Sequence, residues 1–225
     1  TPRYRELLEA NWRGDERVLS LPFACATKSG IARLALSVTA GTASLSQSDP
    51  ECDPKAVEVE VVAIDDLVET HPRIAECRFL KIDTDGYDLE VIGGALKTIS
   101  RGRPFVLFEC DDFGRSDYLE KLRATVGELG RAGYEVLALY DNLGRLLCNC
   151  PTREFARLEA YLQYKALGGV AYFDVLAVPP DSAKEFLRAE AEFYSSASAR
   201  RPPAEGARAL EGSKKASARR SSLGV

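Results

Sequence analysis

The sequence has no methionine, one tryptophan, one histidine, and no apolar run near the ~20 residues that a membrane-spanning helix needs. With His71 and six scattered cysteines as the possible soft ligands, a zinc site would have too few ligands at suitable spacing. Cys148 and Cys150 are one residue apart, closer than the usual ligand pair. We therefore expect no metal, and the scattered cysteines favour a reducing, cytoplasmic location.

Several motifs of phosphate and hydrolase chemistry are also missing. The sequence contains no GxxxxGKS or GxxxxGKT loop, no GxSxG elbow, no HExxH and no GxGxxG turn. These absences argue against a P-loop nucleotidase, an α/β-hydrolase and a zinc protease. Because an initiator methionine is absent too, we expect that residues precede Thr1.

The net charge of −4 combines two regions of opposite sign. Residues 200–225 carry seven basic and two acidic side chains, so the rest of the chain has a net charge of −9. An acidic body argues against nucleic-acid binding. We predict a main domain at 1–180, a C-terminal helix at 181–195 and a basic disordered tail at 196–225. The tail is interpreted as a solvated extension or, alternatively, as a weak contact for an acidic surface or RNA.

Apolar patterns predict strands that alternate with helices. Strands are predicted at 18–26, 31–38, 57–64, 78–83, 104–110, 134–140 and 171–178. Helices are predicted at 1–12, 89–99, 119–129, 155–167 and 181–194. Such alternation is typical of an α/β fold with a mostly parallel sheet. We expect the last strand to pair antiparallel at or near an edge, and the polar segment 41–54 to be a loop.

An apolar strand at 79–82 runs directly into a cluster of carboxylates. Ligands of open α/β sheets bind beyond the carboxyl ends of the strands, so Asp83 and Asp85 are expected at the edge of such a crevice. In a structural interpretation, Asp85 is a helix N-cap and Asp88 its capping-box partner. In a functional one, Asp83 reaches a ligand and Gly86 allows its close approach. The two interpretations are compatible.

Glu109 ends the apolar strand 104–110, where a carboxylate is costly unless it is paired or faces a wet cavity. If this strand lies parallel to 79–82, Asp83 and Glu109 are side by side. They would then form an acid/base pair or a clamp on hydroxyl or amino groups. A surface or ion-paired role for Glu109 is the alternative.

Three ordered segments stand out as motifs: VVAIDDL at 61–67, FLKIDTDGYDLEVIGG at 79–94 and RPFVLFE at 103–109. They resemble the V-x-T-L-D-D-L, L-K-I-D-x-E-G-x-E-x-x-V-L-x-G and R-P-x-V-x-x-E motifs of the FkbM family of S-adenosylmethionine-dependent methyltransferases. The resemblance implies a Rossmann-like class I methyltransferase sheet with an antiparallel C-terminal strand.

The same resemblance implies roles for individual residues. Asp83 and Glu109 end the family's fourth and fifth strands and are the candidate catalytic residues. Ala24 and Cys25 resemble the region that lines the adenine, and with Asp83, Asp85 and Gly86 they are the candidate cofactor-binding residues for S-adenosylmethionine. The acceptor would be a hydroxyl or amine of a small molecule, sugar or peptide, most simply by O-methylation.

The family's first strands and its glycine-containing cofactor turn have no counterpart in the sequence. We therefore expect a sheet that lacks its first strands and binds S-adenosylmethionine weakly or not at all. Two alternative functions follow. One is a truncated, non-catalytic domain that acts as a binding or assembly partner. The other is a nucleotide-sugar transferase, whose DxD metal motif the spacing of Asp83 and Asp85 reproduces.

Overall fold

Helices and strands alternate along most of the computed structural model, which describes residues 2–36, 43–45, 57–168 and 172–196. The helices are α1 (Pro2–Asn11), α2 (Ile64–Thr70), α3 (Asp88–Gly93), α4 (Leu96–Gly102), α5 (Tyr118–Arg131), α6 (Phe155–Ala166) and α7 (Ala183–Ser195). The strands are β1 (Ala24–Cys25), β2 (Gly30–Leu36), β3 (Ala43–Leu45), β4 (Val57–Val62), β5 (Phe79–Ile82), β6 (Phe105–Cys110), β7 (Val136–Asp141), β8 (Leu146–Pro151) and β9 (Phe173–Val178). An α/β fold is therefore confirmed.

The described strands form two sheets, with orders β1-β4-β2-β3 and β5-β6-β9-β7-β8. Only β1 with β4 and β5 with β6 pair in parallel among the described residues, and the other pairs are antiparallel. The expectation of one mostly parallel sheet was therefore wrong for this part of the chain. The reason is that β7 and β8 form a hairpin and β9 runs against both of its neighbours.

The last strand, β9, pairs antiparallel as predicted, but it does not lie at an edge. It runs between β6 and β7. Asp174 of β9 lies opposite Glu109 of β6, and Val175 of β9 lies opposite Leu139 of β7. Its alternate residues are buried, and Phe173 and Val175 are fully enclosed. The edges of this sheet are β5 and β8.

The core lies between the five-stranded sheet and the helices α3 to α6. Apolar side chains of β6, β7 and β9 pack against those helices, and the largest fully buried ones include Phe108, Phe173, Ile92, Leu122 and Leu158. Buried Tyr134 satisfies its hydroxyl by donating to the carbonyl of Pro104 at 2.6 Å. This packed core supports the ends of β5 and β6, which form the candidate site.

The predicted helix at 89–99 is two helices that break at Gly94. A Cβ at Gly94 would lie 2.0 Å from the carbonyl oxygen of Ala26, so the chain approaches another backbone too closely for a side chain. The carboxylate of Asp65 accepts hydrogen bonds from the backbone N–H groups of Lys97 and Thr98, at 2.9 and 2.8 Å. These bonds satisfy open donors in the first turn of α4, which therefore begins as a separate helix.

Two other predicted elements differ from the structure. The strand predicted at 18–26 is reduced to the two residues of β1, and the loop predicted at 41–54 contains β3, while its other residues lie outside the described ones. The disordered tail predicted from 196 onward also lies outside them, apart from Ser196. The remaining predicted strands and helices are present, with ends shifted by a few residues.

The chain divides into two compact units, residues 1–180 and 181–225. In the second unit, the described part is essentially α7, whose Ser182 N-cap makes no side-chain capping bond. Among the described helices, none has the length and apolar character that crossing a membrane would require.

Candidate functional site

Three carboxylates meet where β5 and β6 end. These strands pair in parallel with Ile82 opposite Phe108, so the residues that follow, Asp83 and Glu109, emerge at the same edge of the sheet. Oxygens of Asp83, Asp85 and Glu109 all lie within 4.8 Å of one another. The predicted neighbours are thus brought together, and we call these three residues the carboxylate cluster.

The loop after β5 has an unusual backbone. Asp85 has φ of +49° and Gly86 has φ of +94°, both in the left-handed region. The N-cap of α3 is Tyr87, without a side-chain capping bond, so the predicted capping by Asp85 was wrong. The left-handed turn explains this difference, because it carries the chain through two more residues before the helix begins.

Asp88 is the most deeply buried carboxylate near the cluster, with 1% of its surface exposed. Its Oδ2 accepts from the N–H and the hydroxyl of Thr84, at 3.3 and 2.9 Å, and its Oδ1 accepts from the N–H of Glu109 at 3.1 Å. The predicted capping-box role was therefore wrong, because both oxygens of Asp88 bind groups at the two strand ends. Burial raises the pKa of Asp88, and these hydrogen bonds oppose that shift.

Within the cluster, Glu109 is a carboxylate whose pKa is clearly shifted. Burial, followed by the negative charges of Asp88, Asp111, Asp83 and Asp85, raises its pKa from 4.5 to about 7. Among the described residues, no lysine or arginine forms a salt bridge with Glu109. The alternative of an ion-paired Glu109 is therefore not supported, and the side chain can take up or release a proton near neutral pH.

Asp83 has a different environment from Glu109. Its carboxylate accepts from the ammonium group of Lys81, and both side chains are more than half exposed. The hydrogen bond from Lys81 to Asp83 raises the pKa of the lysine. Asp83 is thus an exposed carboxylate paired with Lys81, whereas Glu109 is partly buried and has no such cation partner among the described residues.

Arg115 joins the loop after β6 to the loop after β5. Its guanidinium donates to the carbonyl of Gly86 at 2.5 Å and to Glu90 at 2.6 Å, and it lies 5.1 Å from the ring centre of Tyr87. Lys121 also donates to Glu90, at 2.8 Å. Burial raises the pKa of Glu90, but the two cations outweigh it and leave that pKa below its usual value.

Phe113 covers the glycine of the left-handed loop. A Cβ on Gly86 would lie 2.8 Å from the ring of Phe113, so this aromatic ring takes the space that we expected a ligand to use. Phe113 itself has φ of +47°, which is strained for a bulky residue, and remains 48% exposed. No sequence motif signals Phe113 or Arg115, since both act through contacts with a segment more than 25 residues away.

The other two predicted cofactor residues, Ala24 and Cys25, form β1. Their pairing partners are Val61 and Val62 of β4, and burial raises the pKa of the Cys25 thiol. The segment that follows lies against α3, where the Thr27 hydroxyl donates to the carbonyl of Glu90 at 3.1 Å. Among the described contacts, none joins Ala24 or Cys25 directly to the carboxylate cluster.

Two cavities of about 780 and 590 Å³ lie beside α2 rather than at the cluster. The first is lined largely by β4, and the second by apolar side chains that include Leu19, Ile74 and Leu80. Asp83, Asp85 and Glu109 line neither cavity. We place the chemistry at the carboxylates, because three clustered titratable groups are a better guide to reactivity than volume.

The chemistry of the cluster is that of acid/base catalysis and of binding to hydroxyl or amino groups. Its spacing also resembles that of carboxylates that bind a metal ion, but exposed acidic groups are often arranged in this way without one. We assign no metal to these residues. A mixed α/β fold with acidic groups at the ends of two neighbouring parallel strands defines a candidate enzyme site.

The comparison with protein families identifies the class of this enzyme. The model of the methyltransferase FkbM domain matches residues 17–136, which is more than half of the chain and includes the whole carboxylate cluster. The chain therefore belongs to the FkbM methyltransferase family. Neither the curated proteins nor the solved structures provide a match.

Proposed function

We propose that this protein transfers a methyl group from S-adenosylmethionine to a hydroxyl or amine of a small molecule, sugar or peptide, with O-methylation as the main reaction. The observation that carries the proposal is the position of Glu109, whose pKa is raised to about 7, beside Asp83 and Asp85 in a methyltransferase-family chain. A group with this pKa exchanges protons efficiently at neutral pH.

Glu109 is proposed as the general base. As the acceptor oxygen or nitrogen forms its bond to the methyl carbon, its proton passes to the Glu109 carboxylate. S-adenosylmethionine, when bound, would supply an activated methyl group and would leave as the neutral thioether. Asp83 is proposed to accept a hydrogen bond from the acceptor and to orient it, since its exposed carboxylate lies at the rim and is held by the ion pair with Lys81.

The cofactor would be held by residues of the loop before α3 and of β1. Asp83 and Asp85 provide negative charges that suit the amino and sulfonium groups of S-adenosylmethionine, and Gly86 lies in the same loop. Ala24 and Cys25 are proposed near the adenine. The negatively charged side chains fit a cationic ligand.

A direct assay tests the proposal. The chain is incubated with S-adenosylmethionine that carries a radiolabelled methyl group, at millimolar concentration, and with acceptors that differ only in presenting a hydroxyl, an amine or neither. We expect label in the hydroxyl acceptors first and in the amines second. Equal, background-level labelling of all three classes would contradict the proposal.

A non-catalytic role is the second candidate, and one observation favours it. The strand β5 is an edge of its sheet, and Phe79 on that strand is 53% exposed. An unpaired edge with an exposed aromatic ring is suited to binding another strand. The nucleotide-sugar transferase alternative would require that manganese stabilise the chain, and a thermal shift with and without manganese separates it from methyl transfer.

A further inference from the structure

A single buried carboxylate connects the two loops that carry the cluster. The ladder between β5 and β6 ends at Ile82 and Phe108, and the N–H of Glu109 lies one residue beyond it. Oδ1 of Asp88 accepts this N–H at 3.1 Å. The side chain of Asp88 thus contacts the backbone at the end of β6, next to the point where β6 pairs with β5.

The second oxygen of Asp88 holds the other loop. Thr84 lies between Asp83 and Asp85 in the sequence, and both its N–H and its hydroxyl donate to Oδ2 of Asp88. Because Asp88 is almost completely buried, its carboxylate depends on these part-buried hydrogen bonds rather than on water. Movement of either loop would leave the buried carboxylate with fewer donors.

We propose that Asp88 is the positioning residue of the site, which fixes Glu109 relative to Asp83 and Asp85 through its hydrogen bonds to Thr84 and to the Glu109 backbone. This inference rests on the proposed function only for the role assigned to Glu109. The geometry also makes Thr84 a second positioning residue, since its hydroxyl holds the carboxylate of Asp88 in place.

The charge of Asp88 has a second effect on Glu109. Titratable groups surround Glu109 from every neighbouring element. They are Asp83 and Asp85 after β5, Asp88 on α3, Asp111 after β6, and Tyr172 and Asp174 at β9. The nearby cation, Lys81, is paired with Asp83. The environment is strongly acidic. Removal of one negative charge therefore makes Glu109 a stronger acid, and its pKa falls.

An NMR titration of the full chain tests the proposal without any acceptor or cofactor. The protein is labelled with ¹³C at glutamate carboxyl groups and with ¹⁵N in the backbone, and Asp88→Asn is compared with the parent chain. We expect the pKa of Glu109 to fall from about 7 toward 4.5, and the Glu109 amide signal to shift. A well-folded Asp88→Asn chain with both values unchanged would overturn the proposal.

Two substitutions at Thr84 keep the proposal testable if Asp88→Asn does not fold. Thr84→Val removes the hydroxyl and keeps the charge of Asp88, and we expect it to shift the amide signal of Glu109, 25 residues away. Thr84→Ser should return that signal toward its original position. An unchanged Glu109 signal in Thr84→Val would show that Asp88 does not couple the loops.

Asp112→Asn is the matched control. Its carboxylate is 55% exposed, lies in the loop after β6 and accepts from the N–H of Gly114, without a described contact to Thr84 or Glu109. We expect it to leave the Glu109 amide signal in place. Because no methyl transfer is measured, failure of the proposed function would leave these results intact, and failure of the coupling would leave a methyl-transfer assay unaffected.

Discussion

Glu109 and Asp83 occupy the same sheet edge but have different surroundings. Burial and four negative charges raise the pKa of Glu109 to about 7, whereas Asp83 is more than half exposed and accepts a hydrogen bond from Lys81. Two neighbouring carboxylates in such different surroundings commonly have different roles in a reaction. We therefore propose Glu109 as the proton acceptor and Asp83 as the residue that orients the acceptor molecule.

This division predicts the pH dependence of methyl transfer. The base is the ionised form of Glu109, so the rate should rise as pH increases through about 7 and level off above it. Glu109→Gln removes the base, and we expect a loss of roughly 10²–10⁴-fold together with the pH dependence. Initial rates between pH 5.5 and 9 check both expectations.

Asp83→Asn should also reduce the rate strongly, but it should keep the rise with pH because Glu109 remains. Asp112→Asn is the control, since its exposed carboxylate lies outside the cluster. Near-parental rates in both Asp83→Asn and Glu109→Gln would contradict the assignment.

At the scale of the element, loops from different parts of the chain are held together by a few close contacts. The turn between α3 and α4 exists because Gly94 lies against the backbone of Ala26, and the left-handed turn after β5 is held by Arg115 and Phe113. Periodicity along 89–99 predicts one helix, since the contact that breaks it comes from a residue about 70 positions earlier.

The parallel pairing of β5 with β6 was predictable, because it depends on local sequence patterns rather than on a distant contact. Each strand is a short apolar run followed by a carboxylate, and consecutive strands that are joined by a helix commonly pair in parallel. The meeting of Asp83 with Glu109 follows from that rule. The central position of β9 and the roles of Asp88, Phe113 and Arg115 depend on tertiary contacts, which no local pattern records.

The close approach at Gly94 predicts a large difference between two glycine substitutions. Gly94→Ala would place a Cβ 2.0 Å from the Ala26 carbonyl oxygen, and we expect it to lower the free energy of unfolding by about 1–3 kcal/mol. Gly127→Ala, in α5, meets nothing closer than 3.8 Å and should raise that free energy by up to ~1 kcal/mol. Urea unfolding measures both, and equal midpoints would contradict the packing described here.

The clamp formed by Arg115 predicts a second stability difference. Its side chain is 20% exposed and Glu90 is 13% exposed, so Arg115→Ala leaves a mostly buried carboxylate with Lys121 alone. We expect a loss of about 2 kcal/mol in the free energy of unfolding, and a smaller loss for Arg115→Lys, which cannot donate to Gly86 and Glu90 in the same geometry.

Arg131→Ala is the control for this experiment, because Arg131 is 67% exposed and pairs with Glu128 on the surface of α5. Its effect should be much smaller than that of Arg115→Ala, because the pair is exposed to solvent. Comparable losses for Arg115→Ala and Arg131→Ala in urea unfolding would show that Arg115 does not hold the loop.

For the whole molecule, the described sheets leave β5 as an edge strand beside the candidate site. Phe79 and Lys81 on β5 are both more than half exposed, although a parallel edge is normally covered in α/β proteins. The proposed acceptor side has a formed carboxylate cluster, whereas the sequence contains no glycine-rich turn between a strand and a helix that would hold the methyl donor.

This asymmetry predicts that the chain binds S-adenosylmethionine only weakly. Calorimetric titration of the chain should give a Kd in the millimolar range, which corresponds to a binding free energy of about −4 kcal/mol. A cooperative thermal transition of the same sample confirms that it is folded. Micromolar binding would contradict the prediction, and would mean that Ala24, Cys25 and the loop at Asp85 and Gly86 form a sufficient cofactor site by themselves.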